Sequence, residues 1–122
     1  MTQGGRRVTG EMVVSQSAHP NEFDRMRIER ALKSRQRYRF VTPRVAQVDG
    51  GYKVESPCCS RNIDRSGGVI DVALMLHDAD RSQWQLFRKD HRTESWLLDG
   101  DHQRLNDALQ RLNADPERIF WQ

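Results

Sequence analysis

The feature that most constrains this chain is the run from Val69 to His77, in which Val69, Ile70, Val72, Ala73, Leu74, Met75 and Leu76 are apolar. It is far too short to cross a bilayer as a helix, and it lacks the two-residue alternation of a half-solvated strand. A segment of this kind sits in the middle of a sheet, so strands are expected on both sides of it. Upstream, Tyr52 and Val54 alternate with Lys53 and Glu55; downstream, Trp84 and Leu86 alternate with Gln83 and Gln85, and Trp96 and Leu98 follow. Between them lie turn-forming clusters at Asp49-Gly50-Gly51, Arg65-Ser66-Gly67-Gly68, Asp78-Ala79-Asp80-Arg81 and Lys89-Asp90-His91-Arg92. The pattern predicts an antiparallel meander of four to five strands. With the hairpin from Gln83 to Leu98 in register, Trp84 and Trp96 are expected to meet as a cross-strand pair on one face.

Helices flank the sheet. Asn21 is placed to cap a helix whose first turn carries Glu22 and Asp24, and whose thin apolar stripe is Ile28, Ala31 and Leu32. Its expected end is about Arg37, before the loop at Thr42-Pro43. Asp99-Gly100-Asp101 reads as a turn that supplies an N-cap at Asp101 to a second helix, with Leu105, Ala108, Leu109 and Leu112 as its buried stripe. Asp115-Pro116 stops that helix, leaving Ile119, Phe120 and Trp121 to dock on the sheet or helix edge. The expected fold class is therefore α+β, with the N-terminal and C-terminal helices packed on one face of the meander. Residues 1–20 show no periodicity and read as a mobile tail, with Met12 an alternative start; residues 21–122 read as a single α+β domain.

Positive charge is gathered in one place. Residues 21–44 hold eight bases against three acids, whereas residues 45–122 hold ten against thirteen. Arginine outnumbers lysine seventeen to three, and its planar fork suits phosphate and carboxylate. The basic stretch runs through Arg25, Arg27, Arg30, Lys33, Arg35, Arg37, Arg39 and Arg44, interleaved with Tyr38 and Phe40. Arg27, Arg30, Arg35, Arg37, Arg39, Arg44 and Tyr38 are the candidate contacts to an anionic partner, a nucleic acid or an acidic protein. Compositional bias and pairing of Arg27 or Arg30 with Asp24 or Glu29 form the competing, purely structural reading.

Cys58 and Cys59 are the other chemical candidates, and the only cysteines. Adjacent side chains of an extended segment point to opposite faces, which disfavours a shared metal, and a bridge across Cα atoms about 3.8 Å apart falls below the usual range of about 4.4 to 6.8 Å. A thiol-dependent or redox-responsive protein is the alternative they support, and a homodimer joined through a sheet edge is a third. Asp78, Asp80, Asp99 and Asp101 read as turn and cap residues, and no glycine-rich loop has the setting of a phosphate cradle. No cofactor or catalytic signature emerges. Without a secretory leader or a membrane-spanning run, the expected compartment is the cytoplasm, away from any membrane.

Taken together, Glu22-Phe23, Ile28-Glu29-Arg30-Ala31-Leu32, Pro43-Arg44-Val45, Gly51-Tyr52-Lys53-Val54-Glu55, Trp84-Gln85-Leu86-Phe87, Trp96 and Phe120-Trp121 give a recognisable set. Over about residues 21–121 the chain resembles the bacterial domain-of-unknown-function family numbered three-thousand-twenty-four. The resemblance implies a small bacterial cytoplasmic domain and brings no catalytic residues.

Overall fold

The Asn21 side chain accepts the Asp24 amide at 2.7 Å and opens helix α1, Glu22–Ala31, with Glu22 and Asp24 in its first turn. A computed structural model describes residues 18–57 and 68–122 of the chain. The expected continuation of α1 to Arg37 does not occur. The chain tightens into a 3-10 turn, Leu32–Ser34, and Arg35 is already extended. Arginine and glutamine are good helix formers, so local preference does not end this helix. A tertiary contact does: the Gln36 amide donates to the Asn113 carbonyl at 2.9 Å, and the Asn113 side chain donates to the Ala31 carbonyl at 2.9 Å.

Five strands follow: β1, Arg44–Val48; β2, Gly51–Pro57; β3, Val69–Asp78; β4, Gln83–Asp90; and β5, Ser95–His102. They form one antiparallel meander in the order β1-β2-β3-β4-β5, with the apolar run at its centre. Asp49 and Gly50 make the β1–β2 turn, Gly50 at φ 77°. Gly51 has no room for a side chain, since a Cβ there would lie 1.9 Å from the Met75 carbonyl oxygen on β3. Two bulges interrupt the ladders. The β2–β3 register shifts so that Val72 is the extra residue, buried beside Ala73, and the β4–β5 register shifts so that Asp99 is the extra residue.

That second bulge corrects the reading of Asp99-Gly100-Asp101 as a turn. All three belong to β5, and the following helix α2, Leu105–Ala114, has Arg104 at its N-cap without a side-chain bond. A bulge re-aims the side chain it carries. Here Asp99 meets Arg111 of α2 in two parallel bonds of 3.0 Å.

The Trp84–Trp96 pair is also corrected. Trp84 opposes His77 and His102, and Trp96 opposes Lys89. The hairpin turn lies later than expected, with Asp90 accepting the amides of Arg92 and Thr93 and Glu94 at φ 56°. Lys89 stands an odd number of residues from Trp84, so the two tryptophans occupy opposite faces.

Both helices cover one face, as the fold-class reading required, and a single core joins them to the sheet. Ile28 and Leu32 meet Val45, Tyr52, Val54, Met75, Trp84 and Leu86, and from the other end Leu105, Leu109 and Leu112 complete it. Within the segment 1–20, residues 1–17 lie outside the described residues, and His19 bonds through Nδ1 to the Tyr52 hydroxyl at 2.8 Å. Among the described residues, no helix is long and apolar enough to cross a membrane.

The docking of the C-terminus has a definite cause. Asp115 ends α2 in the left-handed region, φ 33°, and is fully buried. Its carboxylate accepts the amides of Ile119 (2.8 Å), Phe120 (3.2 and 3.3 Å) and Trp121 (2.8 Å). The chain is folded back on itself, which drives Phe120 and Trp121 into the core, and the Trp121 indole donates to the Leu112 carbonyl at 2.9 Å.

Across the opposite face runs a ladder of charges. Arg44 pairs with Glu55 at 2.6 Å, Lys53 bridges Glu55 (3.1 Å) and Asp71 (3.3 Å), and Lys89 holds Asp71 at 3.1 Å while lying 4.8 Å from the Trp96 ring centre.

Two outcomes follow. Replacing Asp115 with Ala strands the amides of Ile119, Phe120 and Trp121, the last two buried, and should cost about 3 kcal/mol of unfolding free energy, whereas Asp115→Asn, which tolerates the left-handed backbone and keeps one acceptor oxygen, should cost about half as much in chemical denaturation. Burial alone would raise the Glu55 and Asp71 carboxyls, but Arg44, Lys53 and Lys89 outweigh it and hold both below their ordinary values. A depressed carboxyl stabilises the fold above its unfolded pKa and loses that contribution as pH falls through its folded value. Unfolding free energy should therefore decline on acidification below about pH 4, and Lys53→Met should make that decline shallower.

Candidate functional site

The basic segment leaves α1 at Ala31, and the manner of leaving sorts its cations into those consumed by the fold and those facing solvent. Arg35, 7% exposed, turns inward. Its Nη1 donates to the Leu32 carbonyl (2.8 Å), its Nε and Nη2 to the Tyr38 carbonyl (3.2 and 2.7 Å), and Nη2 also to the Val41 carbonyl. The Val41 amide returns to the Tyr38 carbonyl at 3.3 Å, closing a turn with Arg39 and Phe40 at its tip. Tyr38 takes φ 57°, and its hydroxyl donates to the Gln122 carbonyl. The Arg35 guanidinium also lies 5.6 Å from the Trp121 ring centre.

Arg35 thus ties α1, the 38–41 turn and the C-terminus together, but every one of its recorded acceptors is neutral. Among the described residues no carboxylate pairs with it. Burial lowers its pKa from the ordinary arginine value, and the neighbouring Arg39 lowers it further. An arginine this far from neutral pH keeps its proton, so Arg35 carries a positive charge that no carboxylate among the described residues pairs with.

Beside it lies an open groove of about 510 Å³ lined by Glu29, Lys33, Arg35, Arg39, Val41, Thr42 and Pro43. Lys33 and Arg39 are exposed and have no ion pair among the described residues. Glu29 is the acidic member, and Arg25 already holds one of its oxygens at 3.2 Å. Three cations therefore meet one partly neutralised carboxylate, an arrangement that attracts anions.

The other candidates are placed elsewhere. Arg27 reaches Asp24 at 3.6 Å and the Asn106 side chain of α2 at 3.0 Å. Arg37 donates to the carbonyls of Asp115 (3.0 Å) and Pro116 (3.2 Å), locking the basic segment onto the C-terminal turn. Arg44 is spent on Glu55, in a second groove of about 400 Å³ shared with Thr42, Ser56, Pro57 and Val69. Arg30 is exposed on α1 and has no ion pair among the described residues. Of the seven residues singled out from sequence, only Arg35 and Arg39 line the groove. Lys33 was visible as part of the basic stretch but not as a contact, and Thr42 and Pro43 carried no signal beyond that of a loop. The α1 stop after Ala31 brings Lys33 and Arg39 to one place, and nothing local in the sequence announces that stop.

Cys58 and Cys59 lie outside the described residues. Among the described residues, no group of three or more histidine, cysteine or acidic side chains is placed to hold a metal ion.

Searches of curated proteins and of solved structures found no match. A family model does match, over residues 16–122, and its description is Domain of unknown function (DUF3024). The match takes in both helices, all five strands and the whole basic groove, so the chain belongs to that family.

Proposed function

We propose that the protein is a non-enzymatic binding module whose basic groove receives an anionic group of an acidic partner. The observation that carries this reading is the Arg35 guanidinium, withdrawn from solvent without a carboxylate, next to Arg39 and Lys33. Hydrogen bonds to the Leu32, Tyr38 and Val41 carbonyls replace the water that Arg35 loses, but among the described residues no carboxylate pairs with its charge, and an incoming phosphate or carboxylate would supply that partner. Arg35 holds its own geometry through three carbonyls, so it contributes field and shape, while Lys33 and Arg39 keep their donors for the ligand. Arg35 and the turn it fastens need no further ordering on binding, which leaves only the Lys33 and Arg39 side chains to be ordered by the ligand.

The reading also accounts for the excess of arginine in residues 21–44. Arg27, Arg37 and Arg44 brace the segment against α2, the C-terminal turn and β2, and the groove cations stand on that frame.

Binding of a polyanion that has no bases, inorganic polyphosphate, checks the reading. Affinity should fall with added salt, and the double substitution Lys33→Glu, Arg39→Glu should weaken it about tenfold, since each exposed charge contact is worth up to about 1 kcal/mol. Arg44→Gln should leave affinity within about twofold of the parent, because that guanidinium is already paired with Glu55. Equal losses from both substitutions would point to nonspecific charge and sink the groove as the site.

A further inference from the structure

We infer that the acidic partner is single-stranded nucleic acid, held by its phosphates in the groove and by a base stacked on Phe40; this rests on the anion-binding reading above. Phe40 is fully exposed, at the tip of the turn closed by Tyr38 and Val41. Turn tips ordinarily carry glycine, asparagine, aspartate or serine, whose local bonding or backbone freedom the turn uses. A phenylalanine brings neither, and here it has no core to enter.

Its neighbours on both sides, Arg39 and Val41, line the groove, so the turn that borders the groove is also the one that presents Phe40 to solvent. The turn that presents it is fastened from below: Arg35 binds the Tyr38 and Val41 carbonyls, and Tyr38 is anchored to Gln122. An exposed aromatic on a fastened turn beside unpaired cations is the arrangement that single strands use, the cations following the backbone and the ring taking a base by its face.

The exposed side of α1 carries a second aromatic. Phe23, Met26 and Arg30 lie on one side of the helix together with Glu22 and Glu29, both of which Arg25 holds, and Lys33 follows in the 3-10 turn at the groove. At about 1.5 Å of rise per residue, Phe23 lies about 15 Å from Lys33, so a strand leaving the groove has a second aromatic within reach. Ring, cation and ring in sequence favour a nucleic acid over an acidic peptide, whose carboxylates would use the cations and leave Phe40 without a partner. They favour a single strand over a duplex, because a paired and stacked base has no free face to offer. Contacts to phosphates and stacked faces neither select one base nor distinguish ribose from deoxyribose. The predicted preference is for single strands of any sequence and either sugar.

Fluorescence anisotropy on the full chain tests this, with oligo(dT) and oligo(U) of equal length, an abasic phosphodiester of that length, a duplex, polyglutamate and polyphosphate as probes. Both single strands should bind within a few-fold of each other and about tenfold tighter than the abasic strand. Phe40→Ala should remove most of that difference and leave polyphosphate binding unchanged, Phe40→Ala combined with Phe23→Ala should bring the strands down to the abasic level, and Phe40→Trp should keep the difference. Phe40 makes no core contact, so these variants should keep the parent's circular dichroism. Polyphosphate binding with no advantage for bases, no effect of Phe40→Ala, or equal affinity for duplex or polyglutamate overturns the nucleic-acid inference alone. Failure of every polyanion to bind overturns the anion-binding reading with it.

Discussion

The fold depends most on one buried carboxylate. Asp115 sits in a left-handed conformation at the end of α2, wholly removed from solvent, with three backbone amides of the following residues converging on it. A buried charge is tolerated only where hydrogen bonds replace its water. Those bonds reverse the chain and seat Phe120 and Trp121 in the core against α2, where Arg111 also faces the Phe120 ring at 5.5 Å. Hydrophobic burial supplies the driving force, but the carboxylate determines which backbone path delivers the rings.

From that turn the constraint passes to the basic segment. Arg37 binds carbonyls of the Asp115 turn, Tyr38 binds the terminal Gln122, and Arg35 lies against Trp121. Gln36 and Asn113 join the same region through backbone and side chain. The segment between α1 and β1 is therefore held by residues roughly eighty positions later in the chain. It is an exposed connection with the fixed geometry of a supported element, which is what a binding surface needs if the ligand is not to bear the cost of ordering it.

How much of this was legible in the sequence follows from what is local and what is not. The apolar run at Val69 to Leu76 announced a central strand, and the stripe of Leu105, Ala108, Leu109 and Leu112 announced α2, because periodicity is set by the burial of each residue's own face. The apolar ending Phe120-Trp121 had to dock for the same reason. The end of α1 was not legible, since the Ala31 and Gln36 backbone groups find their partners on Asn113. Nor was the separation of Trp84 from Trp96, which depends on a turn running to Glu94. The clustering of positive charge was plain, but its division into bracing and unpaired groups was not: Arg35, Arg37 and Arg39 look alike in a list and differ only in what surrounds them.

We propose that this division of the arginines leaves the positive site between α1 and β1 open to an anion. An amide-resolved NMR titration of the full chain with tripolyphosphate reads it most directly. Saturable shifts should be concentrated in residues 29–43 and at the Arg35 Nε–H, with the Arg44–Glu55 edge and the charged face of the sheet unmoved. Shifts centred on Arg44, or spread evenly over every exposed arginine, would contradict it.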